Sequence, residues 1–129
     1  MGERRVIFAI DDEAENLKLL ERSLPDYQLQ TFTDPKDALE QAGAVKPSGF
    51  IVDYKMPSMN GVELLKAFRE RGLTGAAVMI TAYPDLDDVV FAEQTKLVYQ
   101  IVAKPYEPRY LPDILQLAMI QSRVLTQNV

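Results

Sequence analysis

Histidine, cysteine and tryptophan are all missing from this 129-residue chain. Without cysteine there is no disulfide framework and no thiolate metal site. Without histidine the chain cannot assemble Ser-His-Asp or Cys-His catalysis, ligate a metal through imidazole, or carry a phosphohistidine. No apolar run approaches the ~20 residues of a membrane-spanning helix. Met1 to Arg5 lead straight into a strand-like run with no signal-peptide cleavage pattern, and Val6 stands where a myristoylation signal needs Ser or Thr. Positive charge is the scarcer sign, with 14 Lys and Arg against 19 Asp and Glu, for a net charge of −5. An acidic domain grips nucleic acid poorly. No glycine-rich phosphate loop is present, which argues against a nucleotide hydrolase. The expectation is a cytoplasmic protein that binds neither nucleic acid nor membrane directly.

The hydrophobic share of 47% and the charged share of 26% are ordinary, and the length suits one domain with one core, residues 1–129. Arg5 to Ile10 is a continuous apolar run with β-branched residues, the mark of a strand buried on both faces. Ala14, Leu17, Leu20 and Leu24 then recur at helical spacing until Pro25-Asp26. Tyr27 to Phe32 alternates and suits a more exposed strand. Asp34-Pro35 reads as an N-cap and a first-turn proline opening a helix to about Ala42. Gly49 to Val52 is a third strand ending on Asp53. Pro57 to Gly61 reads as a turn. Val62, Leu65 and Phe68 line a helix that Gly72 ends. Ala76 to Ile80 is a fourth strand, ending on Thr81-Ala82. Asp85 is expected to cap a helix from Leu86 to about Lys96. Leu97 to Ala103 reads as a fifth strand, ending on Lys104-Pro105. Leu111, Ile114, Leu115, Ala118, Ser122 and Leu125 share one side of a last helix, and Pro112 predicts an irregular first turn.

Strands that alternate with helices need crossover connections and form a parallel sheet covered on both faces. Ligands of such sheets bind beyond the carboxyl ends of the strands. Those ends carry Asp11 and Asp12, then Asp53, Thr81 and Lys104. Parallel strands bring them to one edge, so three carboxylates, a hydroxyl and an ammonium are expected to share a cleft. Clustered carboxylates repel and call for a cation. All-oxygen ligation suits Mg²⁺. A metal, a lysine and a hydroxyl around an Asp describe a phosphoryl-transfer site with Asp53 as nucleophile. Taken singly, each of these motifs reads more simply as a solvated loop residue. It is their joint occurrence at four strand ends that favours chemistry.

Asp11-Asp12-Glu13, Asp53-x-x-Met56-Pro57-x-Met59-x-Gly61, Thr81-Ala82 and Lys104-Pro105, in that order and over nearly the whole chain, resemble the receiver domain of two-component response regulators. The resemblance implies a doubly wound, flavodoxin-like (βα)5 fold with a five-stranded parallel sheet. It implies phosphorylation of Asp53 by a histidine kinase or phosphotransfer protein. Asp12, Asp53 and the backbone carbonyl of Lys55 would bind Mg²⁺, with Asp11 acting through water. Lys104 would pair with the phosphoryl group, and its bond to Pro105 would be cis. Output would pass to an effector domain, a partner or a second copy through the face of the fourth helix, fifth strand and fifth helix. The last helix would run on into a linker, the chain being a receiver excised from a longer regulator.

The chain departs from this pattern at the aromatic expected three residues before the lysine, where it has Ile101. Tyr99, two residues earlier, is expected on the same strand face and competes with Ile101 for a switch role, though a plain packing role suits Tyr99 better. Lys55 and Tyr83 stand where the family gates water to the acyl phosphate, and small Ala82 leaves room for a phosphodonor. Two other functions fit the residues less well. One is an interaction module that keeps the acidic site but works without phosphorylation. The other is an Asp-nucleophile phosphatase, which wants a second Asp where Lys55 stands.

Overall fold

The computed structural model describes residues 4–127, with side chains through Val124. Five strands, β1 (Val6–Ile10), β2 (Gln28–Phe32), β3 (Gly49–Asp53), β4 (Ala76–Thr81) and β5 (Gln100–Ala103), alternate with five α-helices. The helices are α1 (Ala14–Ser23), α2 (Pro35–Gln41), α3 (Gly61–Glu70), α4 (Asp87–Gln94) and α5 (Leu111–Gln127). All strand pairs are parallel, in the order β2-β1-β3-β4-β5. The chain steps outward from β1 to β2, then crosses back to β3, so the order reverses between β1 and β3. This is the switch point at which an open α/β sheet forms a crevice.

Alternation along the strands sends side chains into two layers. Phe8, Phe50 and Met79 pack with Leu65, Phe68 and Val89 under α2, α3 and α4. Ile7, Ile51 and Val78 pack with Leu17, Leu20, Leu111 and Leu115 under α1 and α5. The β3 and β4 residues are buried throughout, whereas β2, at an edge, is partly exposed, as its mixed pattern predicts.

Local signals explain the starts of α2 and α3. Asp34 accepts from the Lys36 N–H at 2.9 Å, with Pro35 opening α2 as expected. α3 starts with a capping box in which Asn60 and Glu63 satisfy each other's backbone N–H groups, a signal inside the stretch read above only as a turn. A 3-10 turn at Pro108–Tyr110 precedes α5, the irregular start that Pro112 predicts. Leu125, expected on the buried side of α5, lies outside the described side chains.

Two expectations fail at α4. Asp85 does not cap it: the residue before the helix is Leu86, with no side-chain cap. The helix also ends at Gln94, short of Lys96, because Lys96 takes a positive φ of 63° that no right-handed helix accommodates. β5 is shorter than read, because Leu97 to Tyr99 form a connection. Within it the Val98 N–H bonds to the Ala92 carbonyl, and Val98 is buried against the α4 layer.

Candidate functional site

Each strand carries its chemistry to the same sheet edge. Asp53 ends β3 with its carboxylate nearly buried. Its backbone is held from both sides: the next residue, Tyr54, donates its N–H to the Ile80 carbonyl and accepts from the Gly61 N–H at 2.8 Å. Gly61 is obligatory for that close approach, since a Cβ there would lie 2.6 Å from the Asp53 carbonyl oxygen. Asp11 follows β1 and is fixed by the Glu13 N–H at 2.9 Å and the Asn16 side-chain amide at 3.1 Å. Asp12 is exposed. One carboxylate oxygen from each of Asp11, Asp12 and Asp53 lies within 4.8 Å of the others.

Lys104, just past β5, donates to Asp53 Oδ1 at 2.8 Å. Its own N–H bonds to the Thr81 carbonyl, which ties the ends of β4 and β5 together. The Thr81 hydroxyl oxygen, buried, accepts from the Tyr83 N–H at 2.9 Å, which leaves the hydroxyl proton available. The Lys104–Pro105 bond is cis. An open cleft of about 510 Å³ joins Asp12, Asp53, Lys55, Thr81, Ala82 and Lys104. At its mouth the Lys55 ammonium stands 5.7 Å from the Tyr83 ring centroid.

The electrostatics show a surplus of negative charge. Burial pushes the Asp53 carboxyl above the ordinary carboxylate value; the Lys104 hydrogen bond and charge oppose this, while Asp12 and Glu13 add to it. Burial also raises Asp11, against the hydrogen bonds from Glu13 and Asn16, and Asp53 adds to the rise. Burial alone would lower Lys104, but its bond to Asp53 and the charges of Asp53, Asp11 and Glu13 hold it above the usual lysine value. One lysine therefore does not neutralise the cluster, and the residues fit a divalent cation held by oxygen ligands.

A stability consequence follows from the raised carboxyls. The folded state keeps those protons longer than the unfolded state, so their contribution to stability falls as pH rises from 3.8 through the raised values. Without divalent cation, Asp53→Asn is expected to gain urea stability relative to wild type across that window. A difference in urea midpoint that stays constant with pH contradicts this.

Two site contributors escaped the sequence reading. Asn16, in the first turn of α1, holds Asp11; its signal was an amide five residues after a strand-end acid. Tyr54 donates to Asp88 at 2.8 Å, linking the residue after Asp53 to α4, and burial followed by the Asp88 bond and charge pushes its phenol up to about 12.

The family model of the response regulator receiver domain matches residues 7–116. This chain belongs to that family. The receiver domain is similar to the hydrogenase transcriptional regulatory protein HoxA of Cupriavidus necator, 28% identical over 88% of this chain and 24% of the relative. It is also 30% identical to the DNA-binding transcriptional regulator NtrC of Escherichia coli, over 81% of this chain and 23% of that protein. The chain thus spans about a quarter of the length of these relatives. The CheY-like receiver domain from Methanospirillum hungatei superposes with a TM-score of 0.82 at 23% identity, covering 95% of this chain and 98% of that one. The fold is the expected five-stranded α/β receiver fold, and the family's role is that of a two-component signalling switch. No described helix is long and apolar enough to cross a membrane.

At the switch positions of this receiver one expectation is corrected. Tyr99 and Ile101 do not share a face: Ile101 packs against the α2, α3 and α4 layer, and Tyr99 against the α1 and α5 layer. Tyr99 precedes β5, so strand alternation does not reach it.

Proposed function

We propose that Asp53 accepts a phosphoryl group from the phosphohistidine of a histidine kinase or phosphotransfer protein, and that this controls an effector domain or partner. The observation that carries this is three carboxylates within 4.8 Å of one another, with Lys104 bonded to the middle strand's Asp53. Asp11, Asp12, Asp53 and the Lys55 carbonyl are the groups that would hold Mg²⁺. Bound there, the ion neutralises charge on the carboxylates and the transferring oxygens. An Asp53 carboxylate oxygen forms the new P–O bond as the donor's P–N bond breaks, and the electron pair leaves on the imidazole nitrogen. Ala82 leaves room for that ring. Lys104 shifts from carboxylate to phosphoryl oxygens, and the Thr81 hydroxyl donates to another of them. Drawing Thr81 inward pulls on the segment entering α4, which shifts the population of states on the α4, β5 and α5 face toward an effector, a partner or a second copy.

The test is incubation with Mg²⁺ and acetyl phosphate, followed by intact mass measurement. One phosphoryl adduct is expected, and none when a chelator is present from the start. No adduct would leave a phosphorylation-independent interaction module as the better reading.

Tyr83 and Lys55 flank the path of water to the acyl phosphate. Tyr83→Ala is expected to speed loss of the phosphoryl group several-fold, read as decay of the adduct after the donor is removed. An unchanged decay rate would show that Tyr83 does not gate water.

A further inference from the structure

Little apolar surface holds α4 to the domain. Val89 and Ala92 are its buried residues, while Val90 and Phe91 are 38% and 62% exposed. Polar contacts secure its two ends. Beyond the C-terminal end, Arg69 of α3 donates to the Leu97 carbonyl at 3.3 Å and to the Leu73 carbonyl at 2.9 Å, with its guanidinium 5.7 Å from the Phe50 ring centroid. The Val98 N–H adds its bond to the Ala92 carbonyl. At the N-terminal end, the Tyr54 hydroxyl donates to Asp88 Oδ2 at 2.8 Å.

The two ends stand differently toward Asp53. Helix α3 runs back along the sheet between parallel strands, so Arg69, in its last turn, lies at the edge away from the acidic cleft. Tyr54 follows Asp53 directly. Its backbone is pinned by the Ile80 carbonyl and the Gly61 N–H, so its ring has a fixed base. Asp88 lies in the first turn of α4 and hangs on the segment that leaves Thr81. In that segment the Tyr83 N–H bonds to the Thr81 hydroxyl oxygen at 2.9 Å. A move of Thr81 toward a phosphoryl group on Asp53 therefore drags the segment and Asp88 with it, while Tyr54 stays in place. A hydrogen bond of this length is lost within about 1 Å of such motion.

We infer that the Tyr54–Asp88 hydrogen bond is a latch of the unphosphorylated state: it holds the first turn of α4 at rest, opens when Asp53 is phosphorylated, and makes Tyr54 a positioning residue that slows the reaction at its neighbour. This rests on the phosphoacceptor reading above. The Arg69 end stays closed, and α4 turns about it. A contact made in only one of two states biases the equilibrium between them by its whole free energy. The latch thus sets how much of the unphosphorylated chain has α4 released.

Tyr54→Phe removes the donor and keeps the ring, and Asp88→Ala removes the acceptor. Each is expected to gain a phosphoryl adduct from acetyl phosphate and Mg²⁺ several-fold faster than wild type, read by intact mass, with the double variant no faster than either single one. Asp88→Asn keeps an oxygen acceptor and is expected to fall between Asp88→Ala and wild type. Asp87→Ala removes the same charge one residue away and is expected to match wild type. Without any phosphodonor, hydrogen exchange across residues 87–92 is expected to quicken several-fold in Tyr54→Phe, with exchange in α3 unchanged. A contact that only stabilised the fold would loosen α3 as well and would not speed phosphorylation. Equal or slower phosphorylation in Tyr54→Phe and Asp88→Ala, additive effects in the double variant, or unchanged exchange in α4 would overturn the latch. Because the exchange comparison needs no phosphodonor, it decides the latch even where wild type forms no adduct, the result that fails the phosphoacceptor reading.

Discussion

Replacing Lys104 with methionine is expected to destabilise the domain by about 2 kcal/mol at neutral pH without divalent cation. The ammonium sits 2.8 Å from Asp53 Oδ1 and is the cation in direct contact with the carboxylate cluster. Methionine keeps the length of the side chain but leaves a nearly buried carboxylate facing two others. The lysine side chain remains 31% accessible, so the loss falls below that of a fully buried pair. The pH dependence has a definite sign. A lysine raised above its ordinary 10.5 gives its full stabilisation below that value and loses it only as pH rises through the raised one. The deficit of Lys104→Met is therefore complete at neutral pH. It shrinks on acidification, as Asp11 and Asp53 protonate, and on addition of Mg²⁺. Urea denaturation at several pH values, with and without Mg²⁺, measures both. Phosphorylation by acetyl phosphate should also slow about a hundredfold, the cost of losing one preorganised donor to transferring oxygens. A variant as stable as wild type in the absence of metal would show that Lys104 does not offset the cluster.

Gly61→Val is expected to cost about 3 kcal/mol and to slow phosphorylation as well, although position 61 touches no reacting atom. The new Cβ would lie 2.6 Å from the Asp53 carbonyl oxygen and 3.0 Å from the Met79 side-chain end. Methionine can move aside. The backbone of β3 cannot do so without carrying Asp53 with it. The matched control is Gly43→Ala, where a Cβ meets nothing within 4 Å and little change in stability is expected. Urea midpoints and adduct formation rates of the two variants check this. A Gly61→Val chain with wild-type values in both would show that the α3 entrance does not position the phosphoacceptor.

The strand ends were legible because burial on both faces writes itself into a continuous apolar run, and the residue that breaks the run is the one that reaches the crevice. Asp11, Asp53 and Thr81 needed only that rule and the parallel topology that helix alternation implies, whereas Lys104 follows an edge strand in which only Val102 is buried and was placed by the topology. α4 was less legible. Its eight residues bury only Val89 and Ala92, so it shows little apolar periodicity, and neither its start nor its end carries a strong cap. The Tyr99 expectation failed for a related reason: alternation predicts a face only within a regular strand, and β5 begins one residue later. Asn16 and the Tyr54–Asp88 link stayed hidden because each depends on where a side chain arrives in space. The capping box of Asn60 and Glu63 was readable, but the neighbouring Pro57 and Gly61 made the stretch look like turn alone.

Reductive trapping tests most directly whether Asp53 is the phosphoacceptor. Borohydride converts an aspartyl phosphate to homoserine, which marks the residue that carried the acyl phosphate. After treatment with Mg²⁺ and acetyl phosphate, followed by borohydride, peptide mass analysis should find homoserine at position 53 and none in the Asp53→Asn chain. An unmodified Asp53 in a protein that carries the adduct, or an undiminished adduct on Asp53→Asn, would contradict the account.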